Sequence, residues 1–363
     1  MILGVFTGLT EHGGIQRYGR HAAAVIATLA RSRGEDYRFM GLNDSVGQHE
    51  IEAAGASFPV TGFARNKLAM TRAVMARARG VWLAYFNHPN LAPLGLVIRA
   101  LNPAARYIVS THGTEVWEPL PRVRALGLRC ADRVTATAEF NAAKVVALQR
   151  VGRERIAIVP CALDPEFAPP KGVASPRPHP GEPPIVLTVS RLMSAEHGEY
   201  KGIDTVIEAL PEVLAAFPGV RYVVVGDGDD RPRLEQLAHR CGVDQHVTFA
   251  GSVDAAALRA FYAACEIFVM PSRTEGFGIV FLEAMALGIP VVGGNHGGTP
   301  EVWADGTAGF LVDHGDAHAL AGRLRLLLGD ADLRARMGAA GRALVATNFS
   351  FDRFRQNFGA LLV

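Results

Sequence analysis

A chain of 363 residues, 49% of them hydrophobic, exceeds one ordinary core and suits two domains of roughly 100–200 residues each. No apolar run reaches the ~18–20 residues that span a bilayer. The four cysteines, Cys130, Cys161, Cys241 and Cys265, form no C-x-x-C pair, which argues against a disulfide framework or a zinc site and fits a reducing cytoplasm. The net charge of +2 hides an asymmetry, since residues 1–180 carry 22 Lys+Arg against 13 Asp+Glu and the remainder 15 against 22.

The opening run "MILGVF" has no basic segment before it and reads as a first buried strand rather than a secretion signal. "YRFMGL", "GVWLAYF", "ARYIVST" and "DRVTATA" follow as strands in the first half. "PIVLTVS", "VRYVVVGD", "HVTFAG", "CEIFVMPS" and "IPVVGG" follow in the second. Between them, "GIQRYGRHAAAVIATLARSRG" and "GIDTVIEALPEVLAAFP" have the apolar spacing of amphipathic helices. Alternating strand and helix predicts parallel sheets covered on both faces. The Pro- and Gly-dense stretch 165–184 breaks the pattern. The expected organisation is α/β, with two tandem Rossmann-like domains facing a cleft. The domains span 1–170 and 185–345, a linker covers 171–184, and a terminal helix within 346–363 crosses back to the first domain.

Ligands of open parallel sheets bind beyond the carboxyl ends of the strands, so the loops there are the candidate binding elements. "IFVMPSRTEGFGIVFLEAMALG" reads as strand, loop and helix, with Glu275 in the loop and Glu283 roughly two turns into the helix. Gly276 and Gly278 let a ligand approach the backbone, and a helix N-terminus favours phosphate or sugar oxygens. Carboxylates accept paired hydrogen bonds from the vicinal hydroxyls of a hexose or ribose. "SRLMSAEHGEYKG" ends a strand with Arg191 and enters a helix after Lys201, two cations suited to a diphosphate. "EHGGIQRYG" places Gly13 and Gly14 before a helix, and "YIVSTHGTEVW" places His112 just after a strand with Glu115 beside it. Asn87 and His88 in "AYFNHPN" also follow a strand. "VVVGDGDDRPRLE" contains a D-x-D pattern that on its own suggests a metal-bound nucleotide; a strand-to-helix turn with acidic caps is the plainer reading.

Together these pieces resemble the retaining glycosyltransferase family 4, with its two-domain GT-B fold and its E-x7-E element. The resemblance runs through essentially the whole chain in the family's order. It implies that Glu275 contacts the donor sugar and Glu283 the nucleotide ribose, while Gly276, Phe277, Gly278 and Ile279 bring backbone to the sugar and phosphate. It makes Arg191 and Lys201, on the S-R-L and K-G elements, the diphosphate clamp, with "SAEHGEY" as extra loop. Gly13 and Gly14 then approach the donor phosphate and the acceptor, His112 contacts the donor sugar, and Ser252 and Val253 frame the base. Glu115, Asn87 and His88 are the acceptor-side candidates. The family's nucleotide needs no metal, so no cofactor and no metal site are expected. One departure stands out: "VPCALDPEF" occupies the place of the family's Pro-Asn-Gly-Val-Asp, with Cys161 and Ala162 replacing Asn and Gly.

The implied activity is metal-independent, retaining transfer of a hexose from GDP-mannose or a UDP-hexose. The acceptor would be a glycan or a polyprenyl-diphosphate-linked oligosaccharide in polysaccharide biosynthesis. "ARNKLAMTRAVMARARG" and "PRVRALGLRCADR" interleave arginines with apolar residues, the pattern of helices that lie on anionic membranes. A cytoplasmic protein, peripheral at the inner face of the cell membrane, is the expectation, and no nucleic-acid motif is present. Two other readings compete. A nucleotide-sugar epimerase or dehydrogenase should carry a strict G-x-G-x-x-G, which "EHGGIQRYG" lacks. A catalytically silent carbohydrate-binding protein would not need the full set Arg191, Lys201, Glu275 and Glu283.

Overall fold

The computed structural model describes residues 1–11, 13–167, 183–193 and 201–363. Nearly all of the expected linker, and the inserted "SAEHGEY", lie outside the described residues. Contacts divide the chain into two units, Met1–Glu166 with Phe349–Val363, and Phe167–Asn348.

The first unit runs β1 (Ile2–Phe6), α1 (Gly14–Ser32), β2 (Tyr37–Gly41), β3 (Gly47–Ala53), β4 (Ala56–Gly62), α2 (Lys67–Arg77), β5 (Leu83–Phe86), α3 (Pro93–Leu101), β6 (Arg106–Thr111), α4 (Arg122–Arg129), β7 (Arg133–Ala136), α5 (Glu139–Gln149) and β8 (Ile156–Ile158). Its sheet has the order β3-β4-β2-β1-β5-β6-β7-β8. The strands β1 and β5 are buried along their whole length, which is why they appear in the sequence as unbroken apolar runs. Seven strands pair in parallel, but β3 runs antiparallel to β4. That edge hairpin adds one antiparallel strand to the parallel sheet that the alternation predicts. Its turn residues Ala54 and Gly55 both have positive φ, 50° and 77°, the geometry of a tight two-residue hairpin turn. The polar alternation of "GQHEIEA" hid this strand, because one face of an edge strand meets water.

The second unit runs β9 (Ile185–Val189), α6 (Ile203–Ala216), β10 (Arg221–Val225), α7 (Arg231–Arg240), β11 (Val247–Gly251), α8 (Ala255–Ala264), β12 (Ile267–Met270), α9 (Ile279–Ala286), β13 (Val291–Gly294), β14 (Gly309–Val312), α10 (Ala317–Gly329) and α11 (Ala331–Asn348). All six strands are parallel, in the order β11-β10-β9-β12-β13-β14. Asp254 and Asp316 cap α8 and α10 by accepting the backbone N–H of Ala257 and Ala319 at 2.8 Å each. A last helix, α12 (Phe351–Gly359), belongs to the first unit. It packs on α1, with Phe354 edge-on to Tyr18 at 5.0 Å and Phe358 edge-on to Tyr85 at 5.1 Å. Cys161 is buried in the first unit and is in no disulfide.

The strand orders locate the crevices. In the first unit the chain steps outward from β1 to β2 and then reverses to β5; in the second it steps from β9 to β10 and reverses to β12. Neighbouring loops diverge at such reversals, so the carboxyl ends of β1/β5 and of β9/β12 are where each sheet opens for a ligand.

Candidate active site

The β9/β12 crevice gathers most of the second unit's chemistry. Arg191 follows β9, exposed, and lines one pocket with Lys201, Gly202, Asp204, Asp230 and Arg233. Lys201 precedes α6 through Gly202, whose φ is 74°. A Cβ at Gly202 would lie 2.4 Å from the Pro271 carbonyl oxygen, so only glycine lets the start of α6 press against the strand end that leads to Glu275.

Glu275 sits in the β12–α9 loop, and its carboxylate accepts Lys201 Nζ at 3.1 Å. Both side chains are mostly withdrawn from solvent, 17% and 16% exposed, so water screens their attraction less than at an open surface. The other carboxylate oxygen accepts the Phe277 backbone N–H at 3.4 Å, and the Glu275 carbonyl accepts the Gly298 N–H at 2.8 Å. The Phe277 N–H, expected to face a ligand, thus leans towards Glu275. Gly278 takes φ 91° as the residue before α9, and Gly276 and Ile279 flank that turn. Glu283 lies little more than one turn into α9, because the helix starts at Ile279 and later than its apolar run suggested. It is buried, and Tyr262 of α8 donates its hydroxyl to Glu283 Oε2 at 2.7 Å.

The acidic loop after β10 is differently built from its expected capped turn. Asp230 precedes α7 without a side-chain cap bond; its carboxylate instead receives Arg233 through two bonds of 2.6 Å. Asp227 accepts the Gly228 N–H at 2.9 Å. Ser252 and Val253 lie between β11 and the Asp254 cap and do not line the pocket with Arg191.

In the first unit, the loops at the ends of β1, β5 and β6 meet. Gly13 and Gly14 open α1, and the preceding loop is held by Asp44, a buried carboxylate after β2. Asp44 accepts the backbone N–H of Leu9 at 3.0 Å, the N–H of Thr10 at 2.9 Å and the Thr10 hydroxyl at 2.6 Å. An acid after the second strand that would read as a ribose ligand in a dehydrogenase is committed here to the loop's own backbone. Asn87 follows β5 fully buried; its Oδ1 accepts the Thr7 N–H at 2.8 Å, while its Nδ2 and the Thr7 hydroxyl have no partner among the described residues.

His112 Nε2 lies 2.6 Å from the Asn87 carbonyl oxygen. A carbonyl only accepts, so Nε2 carries the proton and Nδ1 keeps a lone pair. Burial holds the His112 pKa below its usual value against the opposing pull of Glu115 and the Asn87 carbonyl. Glu115, set by a helical turn over Thr114–Val116, accepts the His112 backbone N–H at 2.5 Å. The rings of His88 and His112 stack at 6.4 Å. His88 Nδ1 accepts the Asn90 N–H at 3.1 Å, so its Nε2 is a donor, and burial pushes its pKa down to about 4. Near neutral pH the pair is uncharged, one ring offering an N–H and the other a lone pair, which suits sugar hydroxyls.

Of the residues singled out by their sequence context, the fold gathers Arg191, Lys201 and Glu275 in the second unit and Asn87, His88, His112 and Glu115 in the first. Asp44, Tyr262 and Arg233 carry no comparable local signal. The alternation of "VVVGDGDDRPR" held the one signal for Arg233, three residues after Asp230 and thus one helical turn away.

Residues 174–344 match the family model described as glycosyl transferases group 1. The chain is 38% identical over 288 residues to the GDP-mannose-dependent alpha-(1-6)-phosphatidylinositol monomannoside mannosyltransferase of Mycobacterium tuberculosis H37Rv, covering 72% of this chain and 71% of that protein. Among solved structures, sucrose-phosphate synthase from Thermosynechococcus elongatus superposes with a TM-score of 0.80 at 23% identity, over 99% of this chain and 98% of that one. Anabaena Alr3699/HepE, in complex with UDP-glucose, superposes with a TM-score of 0.77 at 20% identity, over 100% and 99%.

Proposed function

The chain belongs to the group 1 glycosyl transferases, and from that premise we propose that it transfers mannose, with retention of configuration, from GDP-mannose to a lipid-linked acceptor. The observation that carries this reading is the arrangement at the β9/β12 crevice, where Arg191 and Lys201 line one pocket and Lys201 reaches Glu275 at 3.1 Å. Two cations and a carboxylate at a strand reversal match a diphosphate joined to a polyhydroxylated ring. The name of the mycobacterial relative supports the mannose donor and a glycolipid acceptor.

Arg191 and Lys201 hold the diphosphate and take up the charge that grows on it as the glycosidic bond breaks. Glu283, presented by Tyr262, accepts the ribose hydroxyls. Glu275 accepts hydroxyls of the hexose while positive charge builds at the anomeric carbon; in the first unit, His112 keeps its Nδ1 lone pair for a sugar hydroxyl. The bond from the anomeric carbon to the β-phosphate oxygen breaks as the acceptor oxygen bonds on the same face. The acceptor's proton passes to a leaving phosphate oxygen, so no enzymic nucleophile is required. Asn87, whose buried Nδ2 has no partner among the described residues, His88 and Glu115 receive the acceptor, and Ser252 and Val253 frame the base. Gly13 and Gly14 admit backbone close to both substrates. This scheme uses no metal, because the diphosphate charge is met by side chains and Asp230 is taken by Arg233.

The lipid part of the acceptor points to a membrane surface. Leu68 and Met75 of α2 are 60% and 47% exposed beside Arg65, Lys67, Arg72, Arg77 and Arg79, and Val123 and Leu126 of α4 are exposed among arginines. No helix among the described residues is long and apolar enough to cross a membrane, so this contact is peripheral, through apolar anchors and anionic headgroups. Radiolabel transfer from GDP-mannose to a phosphatidylinositol mannoside in EDTA tests the activity; transfer from UDP-hexoses alone would reassign the donor. Sedimentation with anionic vesicles tests the surface, and it should be lost when the five basic residues from Arg65 to Arg79 are neutralised.

A further inference from the structure

We propose that Glu275 also discriminates against the spent nucleoside diphosphate, by competing with it for Lys201 and so driving its release. The inference rests on the reading above in which Lys201 meets the diphosphate. Lys201 Nζ lies 3.1 Å from Glu275 Oε2, with both side chains at least four-fifths withdrawn from solvent. The backbones that carry them are fixed against each other, since Gly202 abuts the Pro271 carbonyl and the Glu275 carbonyl is tied to Gly298. Neither end of the pair can drift away to accommodate a newcomer. The lysine stem must turn, and Glu275 must then find other donors.

The complete nucleotide sugar supplies those donors as hexose hydroxyls, so Lys201 can turn to the phosphates while Glu275 stays hydrogen-bonded. The nucleoside diphosphate left after transfer has no hexose. Drawing Lys201 to it would leave a mostly buried carboxylate without its cation and next to an anion, which is costly. The ion pair therefore re-forms as the product leaves. Glu275 contacts the sugar in one half of the cycle and displaces the product in the other.

The test is calorimetric titration of GDP, with UDP alongside, into the wild-type protein, Glu275→Gln, Lys201→Met and the double variant, each checked by thermal melting. Glu275→Gln should bind GDP about fivefold more tightly, the size expected of a partly screened ion pair, although it loses transfer activity. In the Lys201→Met background the same change should have no effect on GDP affinity. Equal tightening in both backgrounds would mean plain charge repulsion and would overturn the competition. Unchanged or weaker binding by Glu275→Gln, repeated with Glu275→Ala, would overturn it as well. If Lys201→Met binds GDP as tightly as the wild type, the diphosphate clamp itself fails, which is a different result from a failure of Glu275 to compete.

Discussion

Tyr262→Phe removes one oxygen from the second unit and leaves the ring contacts in place. The Tyr262 ring meets Phe167 edge-on at 5.6 Å and stacks with Phe268 at 5.9 Å, and phenylalanine preserves both. What goes is the 2.7 Å bond to Glu283 Oε2, between two side chains that are 0% and 1% exposed, together with a longer 3.4 Å bond to the Val280 carbonyl. A hydrogen bond to a charged group contributes about 1.5–3 kcal/mol. In a unit of this size each 1 kcal/mol moves the melting temperature by roughly 2–4 °C, so the second unit should melt about 3–12 °C lower. Glu283 would also lose its fixed rotamer, and a ribose bound by two hydroxyls should be held about tenfold more weakly. Scanning calorimetry with and without GDP, and GDP titration, measure both effects. A variant with unchanged melting and unchanged GDP affinity would refute the argument that Tyr262 presents Glu283.

Three further outcomes follow from geometry elsewhere. Gly202→Ala places a Cβ 2.4 Å from the Pro271 carbonyl at a φ of 74°; it should cost at least ~2 kcal/mol and lower kcat/KM by shifting Lys201, as melting and initial rates would report. Asp44→Ala strips the β1–α1 loop of its acceptor for two backbone N–H groups and a hydroxyl, and should destabilise the first unit by about 3 kcal/mol in urea titration. His21 is buried between Phe351 and Phe354, and burial pushes its pKa down to about 4. The unfolded chain binds that proton near pH 6.5 and the folded one does not. The His21 contribution, about 3 kcal/mol, is therefore complete above pH 6.5 and lost as pH falls towards 4. His21→Phe should flatten the decline in melting temperature across that window, with His88 and His112 supplying what slope remains.

The α/β architecture was legible because buried parallel strands cannot hide: "ILGVF", "IVLTV" and "IFVM" are continuous apolar runs with helices between them. The β3–β4 hairpin was not, since an edge strand with Glu50 and Glu52 reads as loop. Within the site, residues that announce themselves by charge beside a glycine, such as Lys201 and Glu275, could be found from local spacing. Tyr262 and Asp44 could not, because their partners stand 21 and about 35 positions away and are brought close only by the sheet. The stretch of α9 before Glu283 is shorter than its apolar pattern suggests for a related reason. Phe277 and Gly278 continue the helix's apolar run, but the positive φ of Gly278 starts the helix after them.

In the proposed reading, the β9/β12 crevice of the second unit holds a nucleotide sugar through Arg191, Lys201, Glu275 and Glu283 without a metal. The most direct test is calorimetric titration of GDP-mannose and a panel of UDP-hexoses in EDTA, into the wild-type protein and Glu283→Ala. The wild type should bind GDP-mannose saturably, and Glu283→Ala at least tenfold more weakly. Binding that requires a divalent cation, or that Glu283→Ala leaves unchanged, would contradict it.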